Sequence, residues 1–275
     1  PSRKNTAPCA AYIAHKLHAL NPNANIIMSP ADHLIFDERK FERDIINALD
    51  FVSKNEVLVT LGIKPTRPDT GYGYIQYDTN KNIDNFYKVK TFTEKPSHEL
   101  AETFVRSGDF LWNAGIFVWN VKSILAELGE YLPEMNDVFQ QVTSYNKPKE
   151  YADIEKVYSQ CTNISIDYGI MEKADNVYVS LGDFGWSDLG TWGSLYDLSQ
   201  KDESENVTLK CRSLLYNSKN NIVVLPQNKL AVIDGLEGYL IAESDNVLLI
   251  CKKDEEHSIR KYVNDAQIKL GEDYI

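Results

Sequence analysis

The sequence predicts an α/β fold, with a mixed sheet flanked by helices, followed by a small and mainly β C-terminal domain. Strand and helix signals alternate through the first two hundred residues, which is typical of a sheet covered by helices. After the acidic and polar stretch from Gln200 to Asn206, short strands follow one another with only turn residues between them, and one helix from about Glu255 to Leu270 closes the chain. We therefore predict an α/β domain over residues 1–205 and a small β-rich domain over residues 206–275.

The elements of the first domain are predicted from apolar runs whose periodicity changes between helix and strand. A first helix is predicted from Pro8 to Leu20, with Thr6 as its cap and Pro8 near its first turn. The next predicted elements are a strand at 25–29, a helix at 37–54, strands at 56–62, 74–77, 89–92 and 110–119, a helix at 121–132, a polar helical stretch to 160 and a strand at 178–181. The second domain contains the strand-like segments LLYNS, NIVVLP, KLAVID, GYLIAES and VLLICKK.

Charge and composition limit the classes of function. The formal net charge is −11, which argues against a protein that binds a nucleic-acid polymer by neutralising its phosphates. A nucleotide substrate is compatible with this charge, because a pocket needs only local amides, cations or a metal ion. No apolar window approaches the roughly 18 residues of a membrane span, and the start has no signal-peptide core. We therefore expect a cytoplasmic protein with no membrane partner.

Two aspartates are candidate ligands for Mg²⁺. Asp32 lies in the loop PADH directly after an apolar strand, where the cleft of an open α/β sheet is expected. Asp188 lies in GWSDLGTW, between two glycines and two tryptophans. Mg²⁺ typically uses one or two carboxylates and completes its shell with phosphate oxygens and water. The alternative is that Asp32 caps the following turn and that Asp188 caps a helix beginning near Thr191.

Cations and turn residues supply further candidates for binding a phosphorylated ligand. Lys95 in TEKP, together with Arg3 and Lys4, could neutralise phosphate groups. Asn5 and Thr6 precede a helix, whose free N–H groups favour anions or carbonyl oxygens, although plain helix capping explains them equally. The glycines of DTGYGYI and the segment LWNAGIF could present backbone and amide groups to a polyhydroxylated ligand, or could mark bulges in strands.

Seven motifs, read in order, resemble the landmarks of the mannose-1-phosphate guanylyltransferases, a branch of the sugar-1-phosphate nucleotidyltransferases. They are RKNTAP, SPADH, TGYGYI, FTEKP, WNAGIF, SIDYGIMEK and GWSDLGTW. The segment LIAESDNVLLICKKDEEHSIRKYV also resembles that family's closing part. The resemblance runs from residue 1 to near the C-terminus and implies a Rossmann-like mixed sheet of the nucleotidyltransferase type.

The resemblance also implies a reaction and a set of roles. GTP and mannose 1-phosphate would give GDP-mannose and pyrophosphate, with Mg²⁺ as cofactor and a homodimer as the expected assembly. The implied catalytic residues are Asp32, Asp188 and Lys95, of which Asp32 and Asp188 would hold the metal and Lys95 would contact the sugar phosphate. The implied nucleotide-binding residues are Asn5, Thr6, Ser29 and Pro30. The implied sugar-binding residues are Gly73, Glu94, Asn113 and Asp167.

One part of the family's pattern has no match in this sequence. The glycine-rich signature of the type GxGxRLxP precedes RKNTAP by several tens of residues in the family, and residue 1 already lies just before RKNTAP. We therefore expect this chain to lack the family's first strand and phosphate loop and to be weakly active or inactive alone. Two other functions remain open at this point: a nucleotidyltransferase for another sugar 1-phosphate, and a non-catalytic protein that binds nucleotide sugars.

Overall fold

The computed structural model describes residues 3–271. Contacts divide the chain into two compact units, with the division between Trp186 and Ser187. This division falls earlier in the chain than the change of sequence pattern near residue 205. The first strand after the polar stretch begins at Val207, and the domain boundary near residue 205 stays a prediction. Within the described residues, no helix combines the length and the apolar character that crossing a membrane requires.

The first unit combines strands with helices, as predicted. The helices are α1 (Thr6–Leu20), α2 (Glu38–Lys54), α3 (His98–Ser107), α4 (Val121–Tyr131), α5 (Pro133–Gln140) and α6 (Glu150–Gln160). The strands are β1 (Asn25–Met28), β2 (Leu34–Ile35), β3 (Leu58–Ile63), β4 (Tyr74–Ile83), β5 (Phe86–Thr93), β6 (Phe110–Asn120) and β7 (Val177–Gly182). A π-helical turn spans Asp167–Met171, and a short strand β8 (Trp186–Ser187) crosses the division between the units.

The central sheet has six strands in the order β1-β6-β3-β7-β5-β4. Strands β3 and β7 are parallel, whereas β6 runs antiparallel to β1, β3 and β4. The sheet is therefore mixed, which confirms the predicted fold class. The long strand β6 pairs with three neighbours, so its middle residues lie at the centre of the sheet.

Alternating side chains of the strands fill two separate core layers. Leu58 of β3 packs in one layer with Ala11 of α1 and Ile124 of α4. Its neighbour Val59 packs in the other layer with residues of α2 that include Phe51. Successive strand side chains point to opposite faces, so helices must cover both faces of this apolar sheet.

The start of α1 corrects one predicted detail. The helix begins at Thr6, and its N-cap is Asn5, whose side-chain oxygen accepts a hydrogen bond from the Thr6 backbone N–H. The prediction that Thr6 is the cap is therefore wrong. Asn is as good a cap as Ser or Asp, and Pro8 is tolerated because backbone N–H groups of the first turn have no helical partner.

The second unit contains short strands that pair mostly in parallel, with one antiparallel pair. Its elements are the helix α7 (Trp192–Leu198), the strands β9 (Val207–Leu209), β10 (Arg212–Tyr216), β11 (Ile222–Val224), β12 (Leu230–Asp234), β13 (Tyr239–Ser244) and β14 (Val247–Lys252), a 3₁₀ helix Lys253–Ser258 and the helix α8 (Ile259–Leu270). Val207, Ile222 and Leu240 stand in register on adjacent parallel strands. The predicted succession of strands followed by one closing helix is confirmed.

Two buried asparagines link successive strand-and-turn segments of this second unit by hydrogen bonds. The side-chain oxygen of Asn206 accepts hydrogen bonds from both the backbone and the side-chain nitrogen of Asn221. Asn221 in turn accepts from the Tyr239 backbone N–H at 2.8 Å and donates to the Leu236 carbonyl. Buried polar groups are generally hydrogen-bonded, and here the partners lie on successive strand-and-turn segments.

Candidate active site

Asn113 is the centre of a buried polar cluster in the first unit. It lies in β6, where the register with β3 shifts and Gly115 adopts a φ of 67°. Its side-chain oxygen accepts hydrogen bonds from the Thr60 hydroxyl at 2.9 Å and from the Gly115 backbone N–H at 3.1 Å. Its side-chain nitrogen donates to Asp167 at 3.0 Å. The bulge and these bonds fix the amide orientation, so Asn113 presents a defined donor beside Asp167.

Glu94 and Gly73 lie against the same asparagine. The Asn113 backbone N–H donates to the Gly73 carbonyl at 2.8 Å. A Cβ atom at Gly73 would collide with Glu94 Oε2 and would lie 3.3 Å from Asn113 Cβ. Glycine at position 73 therefore allows the Glu94 carboxylate to approach the strand backbone closely.

Lys95 and Glu172 complete the cluster. Lys95 adopts a φ of 47°, and its backbone N–H donates to the Tyr72 carbonyl at 3.2 Å. Its ammonium nitrogen lies 3.4 Å from Glu94 Oε1, and the side chain is about half exposed. Glu172 accepts a hydrogen bond from the Glu94 backbone N–H at 3.2 Å. The sharp turn at positions 94 and 95 is thus held from both sides, and the Lys95 ammonium group lies beside the Glu94 carboxylate.

Burial changes the protonation of the carboxylates in this cluster. Burial, together with the neighbouring Asp167 carboxylate, raises the pKa of Glu94 to about 7, against the opposing effect of Lys95. Burial also raises the pKa of Asp167, although its hydrogen bond from Asn113 favours the ionised form. Perturbed carboxylates in one cluster are typical of functional sites. Near neutral pH, the Glu94 carboxyl group can therefore either donate or accept a hydrogen bond.

The loop after β1 lies next to this cluster. Pro30 is the nearest residue to the Cβ position of Gly115, at 3.7 Å. The Ser29 hydroxyl donates to the Pro30 carbonyl at 3.1 Å, and His33 accepts from the Trp186 indole N–H at 3.1 Å. Asp32 is exposed on this loop, and the N-cap of the following helix is Asp37.

Thr6 connects the start of the chain to the same region. Its hydroxyl accepts a hydrogen bond from the backbone N–H of Ile166, the residue before Asp167, at 2.9 Å. The Ala7 backbone N–H donates to the Ile164 carbonyl at 3.1 Å. Thr6 is therefore bonded to the residue that precedes Asp167, and Asn5 is its neighbour in the sequence. The nucleotide-binding role of Asn5 and Thr6 stays a prediction.

Asp188 lies in the second unit, at the first turn after the division. Its Oδ1 atom accepts a hydrogen bond from the Gly190 backbone N–H at 2.9 Å and one from the Ser194 hydroxyl at 3.4 Å. The N-cap of α7 is Thr191, whose hydroxyl accepts from the Ser194 backbone N–H. The alternative in which Asp188 caps this helix is therefore wrong.

The structure thus groups five of the eleven site residues predicted from the sequence. Gly73, Glu94, Lys95, Asn113 and Asp167 form one cluster, and contacts through Gly115 and Ile166 lead from it to the predicted nucleotide-binding residues. Sequence reasoning assigned no role to Thr60 or Glu172. Glu172 lies within SIDYGIMEK, but its partner is a backbone N–H 78 positions away, and no local pattern indicates such a contact.

The predicted metal ligands can be judged only by the chemistry of each side chain. Within residues 3–271, no group of three or more His, Cys, Asp or Glu side chains is arranged to hold a metal ion. Asp32 and Asp188 offer carboxylate oxygens, which are hard ligands suited to Mg²⁺ when substrate phosphates and water supply the rest. The two aspartates belong to different units, and their joint binding of one ion stays a prediction.

The first unit thus combines a mixed α/β sheet with a polar cluster of an amide, carboxylates and a lysine. The nucleotidyl transferase family model matches residues 1–205. The chain belongs to this nucleotidyl transferase family.

Individual relatives narrow the comparison. A mannose-1-phosphate guanylyltransferase of Escherichia coli is 33% identical over 270 residues, which are 96% of this chain and 58% of the relative. The alginate biosynthesis protein AlgA of Pseudomonas aeruginosa is 32% identical over 270 residues, 96% of this chain and 55% of the relative. This chain therefore spans somewhat more than half the length of these curated relatives.

A crystal structure from Thermus thermophilus, named as a "mannose-1-phosphate geranyltransferase", superposes with a TM-score of 0.79 and 28% identity. The superposition covers 97% of this chain and 76% of the Thermus chain. The fold of the Thermus protein therefore extends over nearly the whole of this chain.

Proposed function

We propose that this chain belongs to an enzyme that transfers a guanylyl group from GTP to mannose 1-phosphate, giving GDP-mannose and pyrophosphate, and that the chain alone is weakly active or inactive. The observation that carries the proposal is the cluster around Asn113, in which residues of four separate motifs meet. Curated relatives with the name mannose-1-phosphate guanylyltransferase support this choice of substrates. The family membership supports the reaction class.

The cluster suits recognition of the sugar. Mannose presents several hydroxyl groups, each of which both donates and accepts hydrogen bonds. We assign the Glu94 and Asp167 carboxyl groups and the Asn113 amide to these hydroxyls. Gly73 leaves room for Glu94, and the half-exposed ammonium of Lys95 would bind the phosphate as a point charge.

The chemistry needs no protein nucleophile. A phosphate oxygen of mannose 1-phosphate would attack the α-phosphorus of GTP in line, and pyrophosphate would leave. Catalysis would then depend on positioning and on neutralising negative charge. We assign Asn5, Thr6, Ser29 and Pro30 to the nucleotide, and Asp32 and Asp188 to Mg²⁺. When bound, Mg²⁺ would neutralise phosphate charge during the transfer.

Calorimetric titration of GDP-mannose in the presence of Mg²⁺ tests this assignment. We expect micromolar binding that Asp167→Asn weakens by about tenfold, as loss of a hydrogen bond to a charged group predicts. Asp137→Asn, a matched change on the exposed face of α5, should leave binding unchanged. Tighter binding of ADP-glucose or UDP-glucose than of GDP-mannose would contradict the substrate assignment.

A turnover assay tests the reaction itself. Pyrophosphate release from GTP should depend on mannose 1-phosphate and on Mg²⁺. Binding of GDP-mannose without any release that depends on mannose 1-phosphate would agree with the weak activity expected of this chain alone, and it would equally fit a protein that binds nucleotide sugars without catalysing their synthesis.

A further inference from the structure

The carboxylate of Glu256 holds the start of helix α7. Its two oxygens accept hydrogen bonds from the backbone N–H groups of Trp192 and Gly193, at 2.7 and 3.0 Å. Hydrogen bonds to an ionised acceptor are about twice as strong as neutral ones. Glu256 lies 64 positions after Trp192, so this contact links the end of the chain to the turn that contains Asp188.

The first turn of α7, which Glu256 holds, orients the Asp188 side chain. Ser194, in the same first turn of α7, is buried and places its hydroxyl 3.4 Å from Asp188 Oδ1. The Thr191 and Ser194 hydroxyls are 2.8 Å apart, and the Thr191 hydroxyl also caps the helix. The Gly190 backbone N–H donates to Asp188, and a Cβ atom at Gly190 would lie only 2.6 Å from Asp188 Oδ2. The carboxylate is therefore oriented by the backbone that Glu256 holds.

The strands of the second unit hold the segment that contains Glu256. The 3₁₀ helix that contains Glu256 follows β14 directly, and the Lys253 backbone N–H donates to the Gly238 carbonyl at 2.9 Å. The Lys253 ammonium lies 3.4 Å from the centre of the Tyr196 ring of α7. Trp192 and Tyr196 also pack against the buried Ile222, Leu240 and Cys251. Helix α7 and the segment around Glu256 are thus anchored to the same core.

We propose that Glu256 is a positioning residue for Asp188: it holds the start of α7 so that the Asp188 carboxylate is fixed for a divalent cation. This inference rests on the proposed role of Asp188 as a metal ligand. The inference gives the β-rich part of the chain a function in the reaction, because this part supplies Glu256, which orients the predicted metal ligand Asp188.

The test measures Mn²⁺ binding by electron paramagnetic resonance, in the presence of GDP-mannose, with Mn²⁺ as a substitute for Mg²⁺. Glu256→Gln keeps the size of the side chain, but its NH₂ group cannot accept from a backbone N–H. We expect the Kd for Mn²⁺ to rise by about tenfold in Glu256→Gln. Glu255→Gln is the matched control, because Glu255 is exposed and its described hydrogen bond is with Ser258.

A double-mutant cycle separates positioning from general stability. In the Asp188→Ala background, Glu256→Gln should cause no further loss of Mn²⁺ affinity, since the two residues act through one another. Ser194→Ala provides a second variant if Glu256→Gln does not fold, and it should also raise the Kd for Mn²⁺. A variant that lowers only the melting temperature, with Mn²⁺ affinity intact, would overturn the inference.

The outcomes distinguish the inference from the proposal on which it rests. If Asp188→Ala binds Mn²⁺ as well as the wild type, or the wild type binds none, the metal role of Asp188 is wrong and the inference falls with it. If Asp188→Ala loses affinity while Glu256→Gln and Ser194→Ala do not, the metal role stands and only the positioning role of Glu256 is overturned.

Discussion

The side chain of Asn113 donates a hydrogen bond to Asp167 over 3.0 Å, between residues 54 positions apart. This bond joins the bulge in the central strand β6 to the π-helical turn that begins at Asp167. Because Asn113 also accepts hydrogen bonds from Thr60 and Gly115, its amide cannot rotate without losing three partners. Asp167 is therefore held by a rigid group rather than by a flexible surface side chain.

Asn113→Asp should destabilise the protein in a pH-dependent way. The change replaces the donor that faces Asp167 with a second carboxylate, and like charges at this distance repel each other. We expect a loss of about 2 to 3 kcal/mol in the free energy of unfolding at pH 8, and a smaller loss at pH 5, where a protonated carboxyl group can donate again. Urea unfolding at both pH values measures the effect.

Asn120→Asp is the control for this change. The Asn120 side-chain oxygen caps α4 through the Lys122 backbone N–H, and its nitrogen donates to the Asn25 amide oxygen rather than to a carboxylate. An equal pH-dependent loss in both variants would contradict the argument from repulsion.

Gly73→Ala should impair sugar binding more than its small size suggests. The added methyl group would collide with Glu94 Oε2 and press on Asn113. Overpacking of this kind costs about 1 to 3 kcal/mol of stability, and we expect GDP-mannose affinity to fall with it. The control is Gly129→Ala in helix α4, where the new Cβ would lie 3.6 Å from its nearest neighbour and should stabilise the helix by about 0.5 to 1 kcal/mol.

Glu94→Gln should stabilise the protein as the pH rises. The folded-state pKa of Glu94 is about 7, above its ordinary value of 4.5. The folded protein therefore binds a proton more tightly than the unfolded chain, and wild-type stability falls between pH 4.5 and 7. Glutamine has no such proton, so the variant should gain up to about 3 kcal/mol relative to the wild type at pH 8, and little at pH 4.5. Melting curves at the two pH values measure the difference, and a constant difference would contradict the assignment of the titration to Glu94.

The sequence predicted the sheet because strand and helix periodicity is a local pattern, whereas the members of the cluster were implied by the resemblance. The alternation of Leu58 and Val59 between two core layers follows from strand periodicity. Asn113 and Asp167 lie in ordered motifs, and their meeting follows from the resemblance. Asp188 and its capping alternative could not be resolved locally, because Asp188 and Thr191 are both good capping residues and only the backbone geometry selects Thr191.

The long-range hydrogen-bond partners of Glu172 and Glu256 could not be predicted from the sequence for a different reason. Glu172 and Glu256 are ordinary charged residues in polar segments, and such residues usually lie on the surface. Each acquires its role by accepting hydrogen bonds from backbone N–H groups far away in the chain. Backbone donors carry no residue-type signal, so no spacing or periodicity could indicate these pairs.

Asn221→Leu should destabilise the β-rich unit. Asn221 is fully buried, and its side chain bonds to Asn206, to the Leu236 carbonyl and to the Tyr239 backbone N–H. A leucine has the same branched shape but no hydrogen-bonding atoms, so it would leave these groups without partners, at a cost of about 2 to 4 kcal/mol. Urea unfolding measures the loss, with Asn264→Leu on the exposed part of α8 as the control. A loss below about 1 kcal/mol in the free energy of unfolding would mean that the β-rich unit does not depend on the hydrogen bonds of Asn221.

Lys95→Ala should separate recognition of the phosphate from recognition of the sugar. Lys95 adopts a φ of 47° and is held through the Tyr72 carbonyl, while Glu172 holds the preceding residue. Backbone hydrogen bonds therefore hold the turn that carries Lys95, and its half-exposed side chain pairs with Glu94. We expect the Kd for mannose 1-phosphate to rise by about tenfold or more, since a charge-assisted bond is lost, and the Kd for mannose to change little. Lys90→Ala on the neighbouring strand β5, whose ammonium lies 3.7 Å from Asp78, is the matched control. If mannose and mannose 1-phosphate lose affinity equally, Lys95 acts by supporting Glu94 rather than by binding phosphate, because Lys95 opposes the rise in the pKa of Glu94.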